Sequence, residues 1–237
     1  DVNAIAVNSA TQLTANITIA ANAALGAREV TVTNPPPGGG SATLNGGFTV
    51  NNPAPALASL NPTGGSRLQT LDVILTGNNF IDGVTSVNFG NDVTSNTTTI
   101  TSATQLTANI SIAVNATLGA RDVIVTNVQG GSAVLTDGFT INNPAPILTS
   151  IAPTLGLQGQ TLNVVLTGGN FISGVSSVSL GNDITINSTT VNSATQITAN
   201  VSMAANAALG GREVSVTNIA PGGGIATLAA GFTVGFN

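Results

Sequence analysis

Gln69-Thr70-Leu71-Asp72-Val73-Ile74-Leu75-Thr76 is the stretch whose reading decides the fold. Leu71, Val73 and Leu75 fall on one side of an extended chain, with Thr70, Asp72 and Thr76 on the other, the period of two that marks a strand buried on one face. Leu162, Val164 and Leu166 repeat the pattern. The same alternation runs through Leu106, Ala108, Ile110 and Ile112, interleaved with Thr107, Asn109 and Ser111, and through Val123 and Val125. Each run closes on turn formers: Gly77, Gly83, Gly90, Gly119, Gly130-Gly131 and Pro144. Thr, Val, Ile, Asn and Gly dominate throughout, which gives helix little support. The Ala-rich stretches from Ala20 to Leu25 and from Met203 to Leu209 predict a turn or a single helical turn.

These runs belong to a repeat of about 92 residues. Asn52-Pro53-Ala54-Pro55 returns as Asn143-Pro144-Ala145-Pro146, and Ser9-Ala10-Thr11-Gln12 returns at Ser102 and Ser193. Gly47-Phe48-Thr49-Val50 returns at Gly138 and Gly231. Residues 52–143 and 144–237 each hold a whole repeat, whereas residues 1–51 match the second half of one. Short strands punctuated every ten residues or so, in units near 90 residues, predict an all-β sandwich for each unit. Short proline-bearing linkers are semi-rigid, so the units are expected to stand end to end as a rod.

A family resemblance rests on an ordered set of motifs: Pro62 to Gly65, Leu71 to Phe80, Val87 to Gly90, Ser102 to Ala108, Gly119 to Asn127 and Gly138 to Ile141. In this order they resemble the immunoglobulin-like IPT/TIG domain. The third repeat matches throughout, with Leu180 in place of Phe89. The resemblance implies tandem immunoglobulin-like β-sandwiches. It implies no single function, since the module occurs in cell-surface receptors, transcription factors, polysaccharide-acting enzymes and bacterial surface proteins.

Composition narrows the choice. Charged residues make up 5% of the chain, against about a quarter in ordinary soluble domains. The basic residues are Arg28, Arg67, Arg121 and Arg212, lysine is absent, and the net charge is −5. Phosphate-backbone binding needs a basic footprint, so nucleic acid is excluded as an expected partner. No apolar run approaches the 18 or so residues of a spanning helix, so no membrane span is expected here. Without His, Cys, Trp, Tyr or Lys, the chain lacks most general bases, thiol and lysine nucleophiles and the commonest transition-metal ligands. No catalytic residue, cofactor or metal site is expected. Asp82 beside Asn78 and Asn79, and Asp92 after Asn91, give too few oxygens for calcium.

Six Asn residues stand in Asn-x-Ser/Thr triplets whose positions suit glycan acceptors: Asn16, Asn109 and Asn200 in equivalent places, Asn96 and Asn187 in another, and Asn115 alone. Arg28-Glu29, Arg121-Asp122 and Arg212-Glu213 are the recurring charge pairs. Neighbours on a strand point to opposite faces, so the two members of a pair do not face each other, and each reads as a solvated strand entry or capping contact, with an inter-repeat or intermolecular salt bridge as the other reading. Ile74, Val165 and Ile124 take outward positions, from lateral contact or from β propensity alone.

Half a sandwich in residues 1–51 leaves Leu13, Ile17, Val30, Val32 and Phe48 without the strands that cover their equivalents, a candidate self-association face. Two readings stay open: these residues are a window on a longer array, or the missing strands come from a neighbouring molecule. In the second case the chain carries no spare first half to donate. The expected function is that of an extracellular or cell-surface array, a fibre, filament or adhesin stalk whose partners are its own repeats. The alternative is a glycan- or ligand-binding module of a secreted polysaccharide-active or adhesive protein.

Overall fold

A computed structural model describes residues 1–237 as twenty β-strands without a helix. Residues 1–51 contribute β1 (Val2–Ser9), β2 (Gln12–Ile17), β3 (Gly26–Thr33) and β4 (Ser41–Val50). The middle unit contains β5 (Ala56–Asn61), β6 (Gly64–Ser66), β7 (Thr70–Asn78), β8 (Thr85–Asn88), β9 (Val93–Ser102), β10 (Gln105–Ile112), β11 (Gly119–Asn127) and β12 (Gly131–Asn142). The last unit repeats this as β13 (Ile147–Ala152), β14 (Leu155–Leu157), β15 (Thr161–Gly169), β16 (Ser176–Ser179), β17 (Ile184–Ser193), β18 (Gln196–Met203), β19 (Gly210–Asn218) and β20 (Gly224–Gly235).

In the middle unit one sheet runs β5-β7-β10-β9 and the other β6-β12-β11-β8. In immunoglobulin lettering these are A-B-E-D and A′-G-F-C, the order of that sandwich with a short A′ strand lying parallel to G. The last unit has the same order, β13-β15-β18-β17 and β14-β20-β19-β16. The chain is therefore built from tandem immunoglobulin-like sandwiches. Every sheet stays within its unit.

The inward residues of the alternating strands form one core per unit. Val73, Leu75, Leu106, Ala108 and Ile110 of one sheet meet Val123, Val125, Phe139 and Ile141 of the other, all fully buried. Phe89 packs edge-on against Phe139 with ring centroids 5.3 Å apart. Leu180 fills the same place in the last unit. No cysteine joins the sheets, so hydrophobic packing and hydrogen bonding hold them together.

Local sequence explains the tight places. Gly77 lets β5 cross β7 closely, since a Cβ there would sit 1.9 Å from the Ala56 carbonyl oxygen. Asn79 follows with φ 59°, a left-handed backbone that Asn tolerates. The Ala-rich stretches are turns, closed by Ala23 N to Ala20 O at 3.0 Å and Ala207 N to Ala204 O at 3.0 Å. In the complete units these turns push Ala116 and Ala207 into the core.

Candidate functional site

The buried asparagines explain how each linker is fixed. Asn127, 1% exposed at the end of β11, donates its carboxamide to Pro53 O at 2.9 Å and to Asn79 O at 2.8 Å. Its Oδ1 accepts from Thr85 Oγ1 at 2.6 Å. Asn79 in turn donates to Ala54 O at 2.8 Å. The Pro-Ala-Pro entry is thus clamped by two side chains of its own unit, Asn127 and Asn79, with Thr85 holding the first in place. Asn218, Asn170 and Ser176 repeat the arrangement around Pro144 and Ala145.

A second device joins neighbouring units. Asn143 is buried and donates to Ile219 O at 2.8 Å, while its backbone bridges Pro221 and Gly223 in the following unit. From the preceding unit Arg67 reaches over, donating through Nη1 to Asn143 Oδ1 at 3.2 Å and through Nε to Ala116 O at 2.8 Å. Asn52 makes the equivalent bond to Val128 O at 2.7 Å at the earlier junction. The last unit carries Gln158 where Arg67 stands, and Gln158 donates to Ala207 O within its own unit. The recurrence of Asn in Val-x-Val-Thr-Asn and Asn-Pro-Ala-Pro was the available signal for these roles; the alternating hydrophobic pattern does not mark them.

Residues 1–51 fold as two hairpins, β1-β2 and β3-β4, in the place of D-E and F-G. The registers match those of the complete units: Val30 faces Leu44 as Val123 faces Leu135. The environments do not match. Leu13, Ile17, Val30, Val32 and Phe48 are 39, 43, 41, 42 and 36% exposed, while their counterparts Leu106, Ile110, Val123, Val125 and Phe139 are at 0%. Covering the five exposed portions is worth roughly 3–6 kcal/mol, taking about 1.5–3 kcal/mol per fully buried side chain. A cleft of about 300 Å³ opens beside them, lined by Val2, Ile17, Ile19, Phe48 and Val50 among others.

The recurring arginines act inside their units. Arg121 donates to Asn91 O at 2.7 Å and Thr117 O at 2.6 Å, tying the entry of β11 to two loops. Arg212 donates to Ala208 O and lies 3.9 Å from Asp183, and Arg28 donates to Ala24 O. Asp122 accepts from Asp137 N at 3.0 Å. The capping contact is the arrangement found.

The glycan candidates divide by geometry. Asn109 and Asn200 sit half-buried in mid-sheet, their Nδ2 atoms donating at 2.6 Å to Asp72 and Asn163, and their Oδ1 atoms accepting from Asn96 and Asn187 at 2.8 Å. Asn16 accepts likewise from Asn3 at 2.8 Å. Asn115 is exposed in a turn, beside Arg67 and across from Ile172 and Val175. Ile74 is 40% exposed, and Val165 and Ile124 are half-buried. Phe80, Phe89, Phe139, Phe171 and Phe232 lie in the cores, leaving Phe48 and Phe236 at the surface. No three acidic side chains gather into a metal-binding group, so Asp82 and Asp92 stand apart from any such cluster. No helix is long and apolar enough to cross a membrane.

No family model matches the chain and no curated protein matches it. Among solved structures it is similar to the surface glycan-binding protein PbSGBP-B of Prevotella bryantii, at 16% identity and a TM-score of 0.45, over 78% of this chain and 43% of that one. It is also similar to the Yersinia pseudotuberculosis adhesin InvE, at 14% identity and 0.38, over 76% and 60%. A three-immunoglobulin-domain segment of titin matches at 10% identity and 0.40, over 89% and 75%. The chain thus spans less than two thirds of the first two. At these identities the likeness is one of fold.

Proposed function

We propose that this chain is a non-enzymatic structural array, a stretch of an extracellular or cell-surface fibre, filament or adhesin stalk. The observation that carries the reading is the Arg67–Asn143 junction, in which one unit reaches across to fix the entry of the next. Hydrogen-bonded linkers transmit position from unit to unit, which suits a spacer and serves no chemistry. The IPT/TIG resemblance agrees with such a role, and the surface of Thr, Ser and Asn suits an exterior setting. Glycan binding is less well supported, because five of the seven phenylalanines that would stack on sugars are packed in cores.

Small-angle X-ray scattering on the chain tests the reading. A unit built on strands of about ten residues is roughly 35 Å long, so end-to-end stacking gives a maximum dimension on the order of 100 Å. A compact particle of 237 residues has a radius of gyration near 18 Å and a diameter of about 45 Å. A result near the compact value refutes the array.

A further inference from the structure

Two adjacent residues mark where one complete unit gives way to the next. Asn142 ends β12; it pairs with Ser66 of β6 and its carbonyl accepts from Arg67 N at 2.9 Å, so it moves with the middle unit. Asn143 moves with the last unit. Its N–H donates to Pro221 O at 2.8 Å, its carbonyl accepts from Gly223 N at 2.7 Å, and its side chain donates to Ile219 O at 2.8 Å. Freedom between the two units is thereby confined to the link from Asn142 to Asn143. One side-chain bond braces that link, from Arg67 Nη1 to Asn143 Oδ1 at 3.2 Å.

The grip on Asn143 comes from the F–G loop of the last unit, and that loop differs in length between the complete units. Five residues, Ile219-Ala220-Pro221-Gly222-Gly223, join β19 to β20, whereas three, Val128-Gln129-Gly130, join β11 to β12. The extra pair supplies the contacts: Pro221 brings the carbonyl that takes the Asn143 N–H, and Gly222 bridges Asn143. Gly222 stands at φ 69°, and a Cβ there would lie 2.6 Å from Asn142 Cβ and 2.6 Å from Asn143 O, so the loop comes this close only with glycine. The shorter loop of the middle unit holds Asn52 by one bond, from its side chain to Val128 O at 2.7 Å. The Asn52 backbone has no counterpart of the bonds to Pro221 and Gly223.

We infer that the length of the F–G loop sets the stiffness of the joint in front of its unit. A five-residue loop carrying Pro-Gly holds the linker by its backbone from Asn143 onward and leaves a short pivot that Arg67 braces. A three-residue loop leaves the backbone unheld as far as Pro53, whose carbonyl takes the Asn127 carboxamide. Hinge motion is absorbed by a few such element-terminal residues. The joint before the last unit is therefore a clamp, and the joint before the middle unit bends. Pro35-Pro36-Pro37-Gly38-Gly39, between Asn34 and Gly40, has the long form too, so loop length varies along the array. This rests on the array reading and deepens it, by giving the array defined places at which it flexes.

Amide hydrogen exchange on the full chain tests the inference. Asn52 and Asn143 each follow Asn and precede Pro, so their amides share one intrinsic rate and differ only through structure. Asn143 should exchange at least about tenfold more slowly, a decade being about 1.4 kcal/mol and of the order of one net hydrogen bond. Deleting Pro221 and Gly222 should bring Asn143 to the rate of Asn52 and broaden spin-label distances between the two complete units, while the amides of β15 and β18 stay protected. If the deletion disturbs the last unit, the reciprocal variant decides: Pro-Gly inserted between Gln129 and Gly130 should slow Asn52 about tenfold. Equal rates at Asn52 and Asn143 in the unaltered chain, or rates indifferent to both loop changes, overturn the inference. Such results leave an extended scattering dimension untouched, whereas a compact particle refutes the array itself, so the two failures are distinguishable.

Discussion

Replacing Asn127 by Ala should unfold the middle unit far more readily, and the structure supplies its own control. The substitution leaves Pro53 O and Asn79 O without the carboxamide donor and Thr85 Oγ1 without its acceptor, in a site where Asn127 is 1% exposed. A buried polar group left unpaired costs about 1–3 kcal/mol. Three such groups, with some water reaching the turn carbonyls, give roughly 3–5 kcal/mol. Domains of this size are stable by about 5–15 kcal/mol, so a large share is lost. At about 4–8 °C per kcal/mol, the unit should melt roughly 12 °C or more below its neighbour. Differential scanning calorimetry is the suitable assay, since the chain has neither Trp nor Tyr to report by fluorescence. The last unit, with Asn218 intact, marks the unperturbed transition in the same scan. Asn34→Ala, at the equivalent place in the half-sandwich, should shift nothing in the isolated chain. A loss below about 1 kcal/mol for Asn127→Ala, or an equal loss for Asn34→Ala, would refute the argument that these asparagines act through their partners.

Arg67→Ala removes the bond to Asn143 at the later junction, together with the bond to Ala116 O inside the middle unit that steadies the guanidinium; with cysteine pairs introduced for spin labelling into a cysteine-free chain, the distances between the two complete units should broaden, and an unchanged distribution would remove Arg67 from the joint. Phe89→Leu copies the Leu180 solution and gives up the edge-on pair with Phe139, so the middle unit should lose about 1–2 kcal/mol; no loss, or more than about 4 kcal/mol in urea titration, contradicts that account. In a host that adds N-linked glycans, peptide mass mapping should find sugar at Asn115 and none at Asn109 or Asn200, whose amides are held in mid-sheet; the reverse pattern would show that the ladder opens easily.

The alternation at Leu71, Val73 and Leu75 announced both the strand and its buried face because a two-sided environment imposes a period of two. Strand pairing and the parallel contact of β6 with β12 were less legible, since three residues with two glycines carry no periodic signal. The candidate site was half legible. Repeat matching named Leu13, Ile17, Val30, Val32 and Phe48 as core residues, and the exposures follow from the absence of β5-to-β8 equivalents against them. Asn127, Asn143 and Arg67 were opaque because their roles depend on carbonyls brought near by the fold, across 74, 76 and 49 positions of sequence. An Asn in an Asn-rich chain has no local feature to distinguish a clamp from a surface residue.

The scarcity of charge becomes intelligible once the outer faces are considered as hydrogen-bonded surfaces. On the outer side of the A-B-E-D sheet, Asn96, Asn109 and Asp72 form a ladder across three strands, and Asn187, Asn200 and Asn163 repeat it without any charge. Thr70 with Ser111 and Thr161 with Ser202 extend it at 2.9 and 2.7 Å. Side chains that satisfy one another present water with a neutral, ordered lattice. Such a face has little long-range field with which to recruit a lateral partner. Contact from unit to unit runs instead through the linkers, where Asn143 donates to Ile219 O and Arg67 donates to Asn143 Oδ1.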